Sequence, residues 1–258
     1  MQIGAMNHPL RDPVREMEWM GELGLDFIDL TLEPPVPASW RVDLGALREG
    51  LERHRLRLIG HTAFYLPIAS PVPELREAAL AELRRCIGCF AAMGASWVNI
   101  HPDPHPTFRT RGELEEENRR SLRELLAHAA VYGTGLMLEN IPKTFNSVKQ
   151  LAPLLDPLPE LGLHLDIGHA NLEVEENTTA ELVAHYGPRI RHVHLHDNKG
   201  GSADLHLPLG TGTLDFRRDV AELKASGYDG TITLEVFSRD PHYFAYSRDV
   251  LRALWEEV

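Results

Sequence analysis

Leu161-Gly162-Leu163-His164-Leu165-Asp166 is a short apolar run that ends on a carboxylate, and His169 follows three residues later. A run of this length fits a buried strand, and its terminal charge is costly to bury without a partner. The same arrangement recurs on both sides of it. Leu58-Ile59-Gly60 leads into His61, Val98-Asn99-Ile100 into His101, Leu136-Met137-Leu138 into Glu139, and Ile232-Thr233-Leu234 into Glu235. Between the last two, His192-Val193-His194-Leu195-His196 alternates imidazoles with aliphatic side chains.

Extending this pattern along the chain predicts eight strands, near 2–6, 26–31, 56–61, 96–101, 135–139, 161–166, 190–196 and 231–235. Each is followed by a longer amphipathic stretch, near 12–23, 43–54, 73–93, 111–132, 146–155, 175–186, 216–226 and 242–257. Leu75, Ala79, Leu83, Ile87 and Phe90 recur at helical spacing, the signature of a helix laid on a sheet. Met93-Gly94-Ala95 and Ser226-Gly227-Tyr228 place glycine just past a helix, where a left-handed residue ends it. Unbroken β/α alternation implies parallel strands with right-handed crossovers. Eight such units in 258 residues match the roughly 250 residues of a closed barrel. The expectation is α/β, a single (β/α)8 TIM barrel, with residues 1–258 forming one catalytic domain.

Bulk properties narrow the function. The hydrophobic fraction is 43% and the charged fraction 25%, an ordinary globular balance. There is no apolar run of the roughly 20 residues that a bilayer requires. Met1-Gln2-Ile3-Gly4 lacks a basic region leading into an apolar stretch, so the expectation is a cytoplasmic enzyme without membrane partners. Cys86 and Cys89 fall in a helical pattern with no second ligand pair nearby, and read as buried helix residues rather than a zinc knuckle. The formal net charge of −12 argues against a nucleic-acid substrate, because non-specific affinity for nucleic acid rests on phosphate neutralisation. A local basic patch would escape that argument. Oligomeric state is left open.

In a barrel the last residues of all strands meet at one mouth. His61, His101, Glu139, Asp166, His169, His194 and Glu235 lie there, joined by Asp204 and His206 from the loop after strand seven. Carboxylates gathered in this way repel one another unless a cation holds them. Mixed histidine and carboxylate donors suit zinc, manganese or related metals. His164, His192 and His196 read instead as wall groups or as supports behind the ligands.

Three segments resemble the xylose-isomerase-like TIM-barrel superfamily of sugar isomerases, epimerases and endonuclease IV. They are Leu165-Asp166-Ile167-Gly168-His169, His194-Leu195-His196-Asp197-Asn198, and Asp204-Leu205-His206-Leu207-Pro208-Leu209-Gly210-Thr211-Gly212. The resemblance extends over nearly the whole chain and implies two possible reactions. In the ketose-epimerase branch one metal is held at positions matching Glu139, Asp166, His194 and Glu235. The two glutamates there also move the proton, and His169 would contact a substrate oxygen. In the endonuclease IV branch three zinc ions take nine ligands, and all nine positions match. His61-Thr62-Ala63-Phe64-Tyr65-Leu66 resembles that branch's aromatic loop.

The periphery favours the sugar branch. The loop Glu33-Pro34-Pro35-Val36-Pro37-Ala38-Ser39-Trp40 has no basic residue before Arg41, whereas a DNA-gripping loop needs phosphate contacts. The favoured expectation is a sugar or sugar-phosphate isomerase or epimerase with a small sugar or polyol substrate. Glu139 and Glu235 would serve as the acid/base pair. The alternative is phosphodiester cleavage on abasic DNA or another phosphoester. Trp40, Phe64 and Tyr65 are candidates for stacking on substrate, and Arg109 and Lys199 for contacting a phosphate.

Overall fold

The computed structural model describes residues 1–105 and 109–258. Eight parallel strands run in sequence order around a closed barrel. They are β1 (Gln2–Met6), β2 (Phe27–Leu32), β3 (Arg57–Thr62), β4 (Trp97–Ile100), β5 (Gly135–Glu139), β6 (Gly162–Asp166), β7 (Ile190–Leu195) and β8 (Thr231–Leu234). The helices are α1 (Pro13–Glu22), α2 (Leu44–His54), α3 (Pro73–Ala92), α4 (Arg111–Ala130), α5 (Val148–Leu155), α6 (Thr179–Tyr186), α7 (Phe216–Ala225) and α8 (Pro241–Glu257). The expected fold class is therefore found. Gly94 and Gly227 take φ of +87° and +85°, as the helix-ending reading required.

Two helices start later than their patterns suggested. The Asn146 side chain donates to the His169 and Leu172 carbonyls, and Ser147 Oγ accepts from Gln150 N at 3.3 Å. These residues brace and cap α5 rather than extend it. Asn177 Oδ1 accepts from Thr179 N, while Thr178 N donates to Ala170 O. Residues 175–178 thus approach α6 without joining it.

The chain packs as two compact units. One comprises Met6–Glu139 and Ala152–Gly162. Here β2 pairs with β3 in register from Phe27 against Arg57 to Leu32 against Thr62, and β4 pairs with β5 from Trp97 against Gly135. β2 is buried along its whole length. Phe27, Ile59 and Met137 form a core cluster with Trp97 against it. Gly60 precedes His61 because the Phe90 ring of α3 lies so near that a Cβ would sit 2.7 Å from it. The Thr110–Glu113 capping box starts α4.

The other unit comprises Met1–Ala5, Asn140–Leu151 and Leu163–Val258. Within it β6 pairs with β7, β7 with β8, and β8 with β1. The β6–β7 register sets Asp166 beside His194, and the β7–β8 register sets His194 beside Thr233. His192 is buried on β7. Its two ring nitrogens lie 2.7 and 3.0 Å from the Thr231 and Thr233 hydroxyls of β8.

Cys86 is buried and Cys89 half-buried in α3, both as free thiols. Among the described residues, no helix is long and apolar enough to cross a membrane.

Candidate metal centre

Each unit carries a cluster of metal-competent side chains, buried in the first and reaching the surface at Asp204 in the second. In the first, β3, β4 and β5 end on His61, His101 and Glu139, whose donor atoms lie within 4.8 Å of one another. Glu139 Oε2 is 2.9 Å from His101 Nε2 and 3.9 Å from His61 Nε2. Asn99 sits at the hub. Its side-chain nitrogen is 2.5 Å from Glu139 Oε2, 3.2 Å from His61 Nε2 and 3.3 Å from His101 Nε2. On the other side of His61, Asp29 Oδ1 of β2 is 3.6 Å from Nδ1.

The aromatic candidates fall in this same unit. Phe64 and Tyr65 meet edge to face at 5.3 Å, and both are exposed. Trp40 is also exposed, with the Arg85 guanidinium of α3 5.9 Å over its ring. Burial pushes the Glu33 carboxyl up, with the charge on His61 opposing. Arg109 is not pointed freely at solvent, since its Nη1 donates to the Ala69 carbonyl at 2.9 Å. Lys199 is exposed.

In the second unit β6 delivers Asp166, a 3-10 turn delivers His169, β7 delivers His194, and the end of β8 delivers Glu235. His194 Nδ1 is 3.1 Å from Glu235 Oε2 and 3.7 Å from Asp166 Oδ2. Asp204 Oδ2 lies 3.2 Å from His169 Nε2 and 3.1 Å from His206 Nε2. Two carbonyls fix these imidazoles. His169 Nδ1 is 2.9 Å from Asn140 O, and His206 Nδ1 is 3.2 Å from Glu235 O. A carbonyl only accepts, so both rings carry a proton on Nδ1 and turn Nε2 toward Asp204.

This geometry supplies the test of whether a metal fits. Two Nε2 lone pairs cannot both face a carboxylate oxygen at 3.1–3.2 Å unless protons or a cation lie between them. Without a metal, protons take that place. Burial opposes charge on His206, but Glu235 and Asp204 push its imidazole up to about 9. Burial would raise the Asp204 carboxyl, yet hydrogen bonds from His169 and His206 outweigh it and hold the group well below the usual carboxylate range. Burial is likewise outweighed at Glu235, which His194 and His206 hold down. The cluster is organised around positive charge, and its histidine nitrogens and carboxylate oxygens are the donors that zinc and manganese take. Anchoring Nδ1 on a carbonyl is how metal-binding histidines are commonly oriented.

Several supporting residues were not singled out from the sequence. Asn140 clasps Asp166, accepting from its N–H at 2.7 Å and donating to its carbonyl at 2.9 Å. Asp197 accepts from the N–H groups of Asn198, Gly212 and Leu214, pinning the loop that carries Asp204 and His206. Asn198 donates to Gly168 O and accepts from Asn171 and Gly200. One signal was available for Asn99 and Asp29. Each is a polar residue inside an apolar strand, and Asn99 is two positions from His101 and so on the same face.

The family model described as "Xylose isomerase-like TIM barrel" matches residues 17–254. The chain is 29% identical over 253 residues to an L-ribulose 3-epimerase of Methylomonas sp. (strain DH-1), covering 91% of this chain and 82% of that one. It is 26% identical over 253 residues to a probable endonuclease 4 of Aquifex aeolicus, covering 86% and 83%. Among solved structures it is similar to a D-tagatose 3-epimerase-like protein, with TM-score 0.86 and 25% identity, covering 100% of this chain and 98% of that one.

Proposed function

The chain belongs to the xylose isomerase-like TIM-barrel family, and from that premise we propose that it is a divalent-metal-dependent sugar epimerase or isomerase. The reaction would move a proton on a carbon beside a ketose carbonyl. The observation that carries this reading is the geometry around His194, whose Nδ1 is 3.1 Å from Glu235 Oε2 and 3.7 Å from Asp166 Oδ2, so that donors able to seat an ion stand beside a carboxylate able to act as a base. The relatives named as 3-epimerases supply the substrate class.

Glu139, Asp166, His194 and Glu235 would hold the ion, zinc or manganese, which when bound polarises the substrate's carbonyl and acidifies the neighbouring C–H. Glu139 and Glu235 take and return the proton as acid and base. Asn99 keeps Glu139 oriented, and His194 does the same for Glu235. His169, fixed through Nδ1, turns Nε2 toward a substrate oxygen or a further ion. His61, His101, Asp204 and His206 bind substrate hydroxyls or hold additional ions. Trp40, Phe64 and Tyr65 offer exposed aromatic faces to the apolar side of a sugar ring.

The test is proton exchange. The metal-loaded protein is incubated in deuterated water with a panel of ketoses and their phosphates, and followed by NMR. Deuterium entering at the carbon beside the carbonyl, lost on chelation and restored by zinc or manganese, is expected. Absence of exchange with every ketose, in protein that has bound its metal, would overturn the reading.

A second reading is favoured by one observation. The His169–Asp204–His206 group and the His61–His101–Glu139 group exceed what a single ion needs, and a probable endonuclease 4 is among the relatives. That reading is a metal-cluster phosphoesterase. The net charge of −12 weighs against a nucleic-acid substrate. Cleavage of abasic-site DNA, abolished by Glu235→Gln, would establish it.

A further inference from the structure

His196 follows His194 by two residues, and the sequence marks it as a wall group or a support behind the ligands. It is fully buried, and neither ring nitrogen makes a hydrogen bond. A buried imidazole in that state is unusual, because burying a polar group without a partner is costly. The ring is nevertheless firmly placed. It stacks on His206 with centroids 4.2 Å apart at 31°. Gly168 lies flat against the ring, so that a Cβ there would come within 2.2 Å of Nε2. Gly168 has φ −66° and ψ −46°, which any residue adopts. Glycine is required at this position for the approach of His196, not for its dihedral angles.

Nε2 stands 3.4 Å from Asp166 Oδ1 and 3.6 Å from Asp204 Oδ1, a few tenths of an ångström beyond a hydrogen bond. The two carboxylates share a pattern. Each presents Oδ1 to His196, and Asp166 Oδ1 also accepts from the His169 backbone N–H at 2.7 Å. Each turns Oδ2 to other imidazoles: Asp166 Oδ2 to His169 and His194, Asp204 Oδ2 to His169 and His206.

We propose that His196 is a positioning residue: its Nε2–H is the donor shared by Asp166 and Asp204, and, together with the His169 backbone N–H on Asp166 Oδ1, it fixes which oxygen each presents to a bound cation. This rests on the reading of the cluster as a metal centre. Binding its second oxygen removes each carboxylate's freedom to rotate, so less ordering is needed when the ion enters.

The experiment uses full-length, metal-free protein titrated with Co2+, read by calorimetry and by visible absorption. Wild type is compared with His196→Phe, which removes the donor, and His196→Gln, which restores an N–H near Nε2. Expected is a 10- to 100-fold loss of cobalt affinity in His196→Phe, a partial recovery in His196→Gln, and unchanged stoichiometry. The absorption spectrum of cobalt-loaded His196→Gln should equal that of wild type, because no ligand has been lost. Should His196→Phe fail to fold, His196→Gln alone decides. An altered spectrum in His196→Gln means that His196 is a ligand, and overturns the proposal. Wild-type affinity in His196→Phe also overturns it. Failure of wild type to bind cobalt would instead strike the metal reading on which the proposal rests.

Discussion

Asn99 places its side-chain nitrogen 2.5 Å from Glu139 Oε2, on β4 and two positions before His101, which follows the strand's end. The amide is a donor to the buried carboxylate whatever the tautomer of the neighbouring imidazoles, whose Nε2 donates only when it carries the proton. Asn99→Ala should therefore lower kcat/KM for proton exchange by about 10- to 100-fold, the usual cost of losing a partner one step removed from a metal ligand. Asn99→Asp should be worse, because it sets a second carboxylate against Glu139. Steady-state kinetics with a melting curve for each variant checks both. Equal activity in all three proteins would show that Glu139 needs no such support.

Glu139→Gln and Glu235→Gln preserve shape and remove the base. If the two glutamates share the proton transfer, each variant should lose about 10²- to 10⁴-fold in exchange of substrate deuterium with solvent. The two losses need not match, since one face of the carbon is served by each. NMR exchange rates on metal-loaded variants separate loss of the base from loss of the ion. Full exchange in either variant removes that glutamate from the chemistry.

Much of this was legible in the sequence because charge at the end of an apolar strand is a costly signal. Asp166, Glu139 and Glu235 each stand out against aliphatic neighbours, and the structure sets each beside imidazoles of its own unit. Amides gave no comparable signal. Asn140, Asn146 and Asn198 look like turn residues, and their clasps on Asp166, His169 and Gly168 depend on distances between elements. His196 gave no separate signal for a related reason. A lone imidazole on a strand reads as wall, and what sets this one apart is its approach to Gly168 and to two carboxylates.

Asp219 makes stability depend on pH at a distance from this chemistry. It is buried in α7, its Oδ2 lacks a hydrogen-bond partner, and burial with Glu222 nearby pushes its carboxyl up to about 7. The folded state therefore holds a proton that the unfolded chain, with an ordinary carboxyl near 3.8, has released. Stability contributed by this group is present below about pH 4 and falls as pH rises toward 7, by on the order of 2–4 kcal/mol. Asp219→Asn abolishes that loss. Denaturant unfolding at pH 5 and pH 8.5 should show the variant gaining on wild type at the higher pH. An identical pH slope in the two proteins would mean that Asp219 is solvated in solution.

Gly212 tests the loop that carries Asp204 and His206. Its N–H donates to Asp197 Oδ2 at 2.7 Å, and a Cβ would come within 2.1 Å of Asn198 O and 2.3 Å of Asp197 Oδ1. These are backbone and pinned side-chain atoms, so an alanine must push the segment outward and break the Asp197 hydrogen bonds that hold it. The His206 and Asp204 side chains would move with it. Gly212→Ala should therefore weaken metal binding at least tenfold and lower the melting temperature, whereas Gly112→Ala on α4, which meets nothing within 4 Å, should change neither adversely because alanine favours a helix over glycine. Calorimetric metal titration and thermal melts of the two variants provide the comparison. Wild-type metal affinity in Gly212→Ala would mean that the donors reach their positions without Asp197's anchorage.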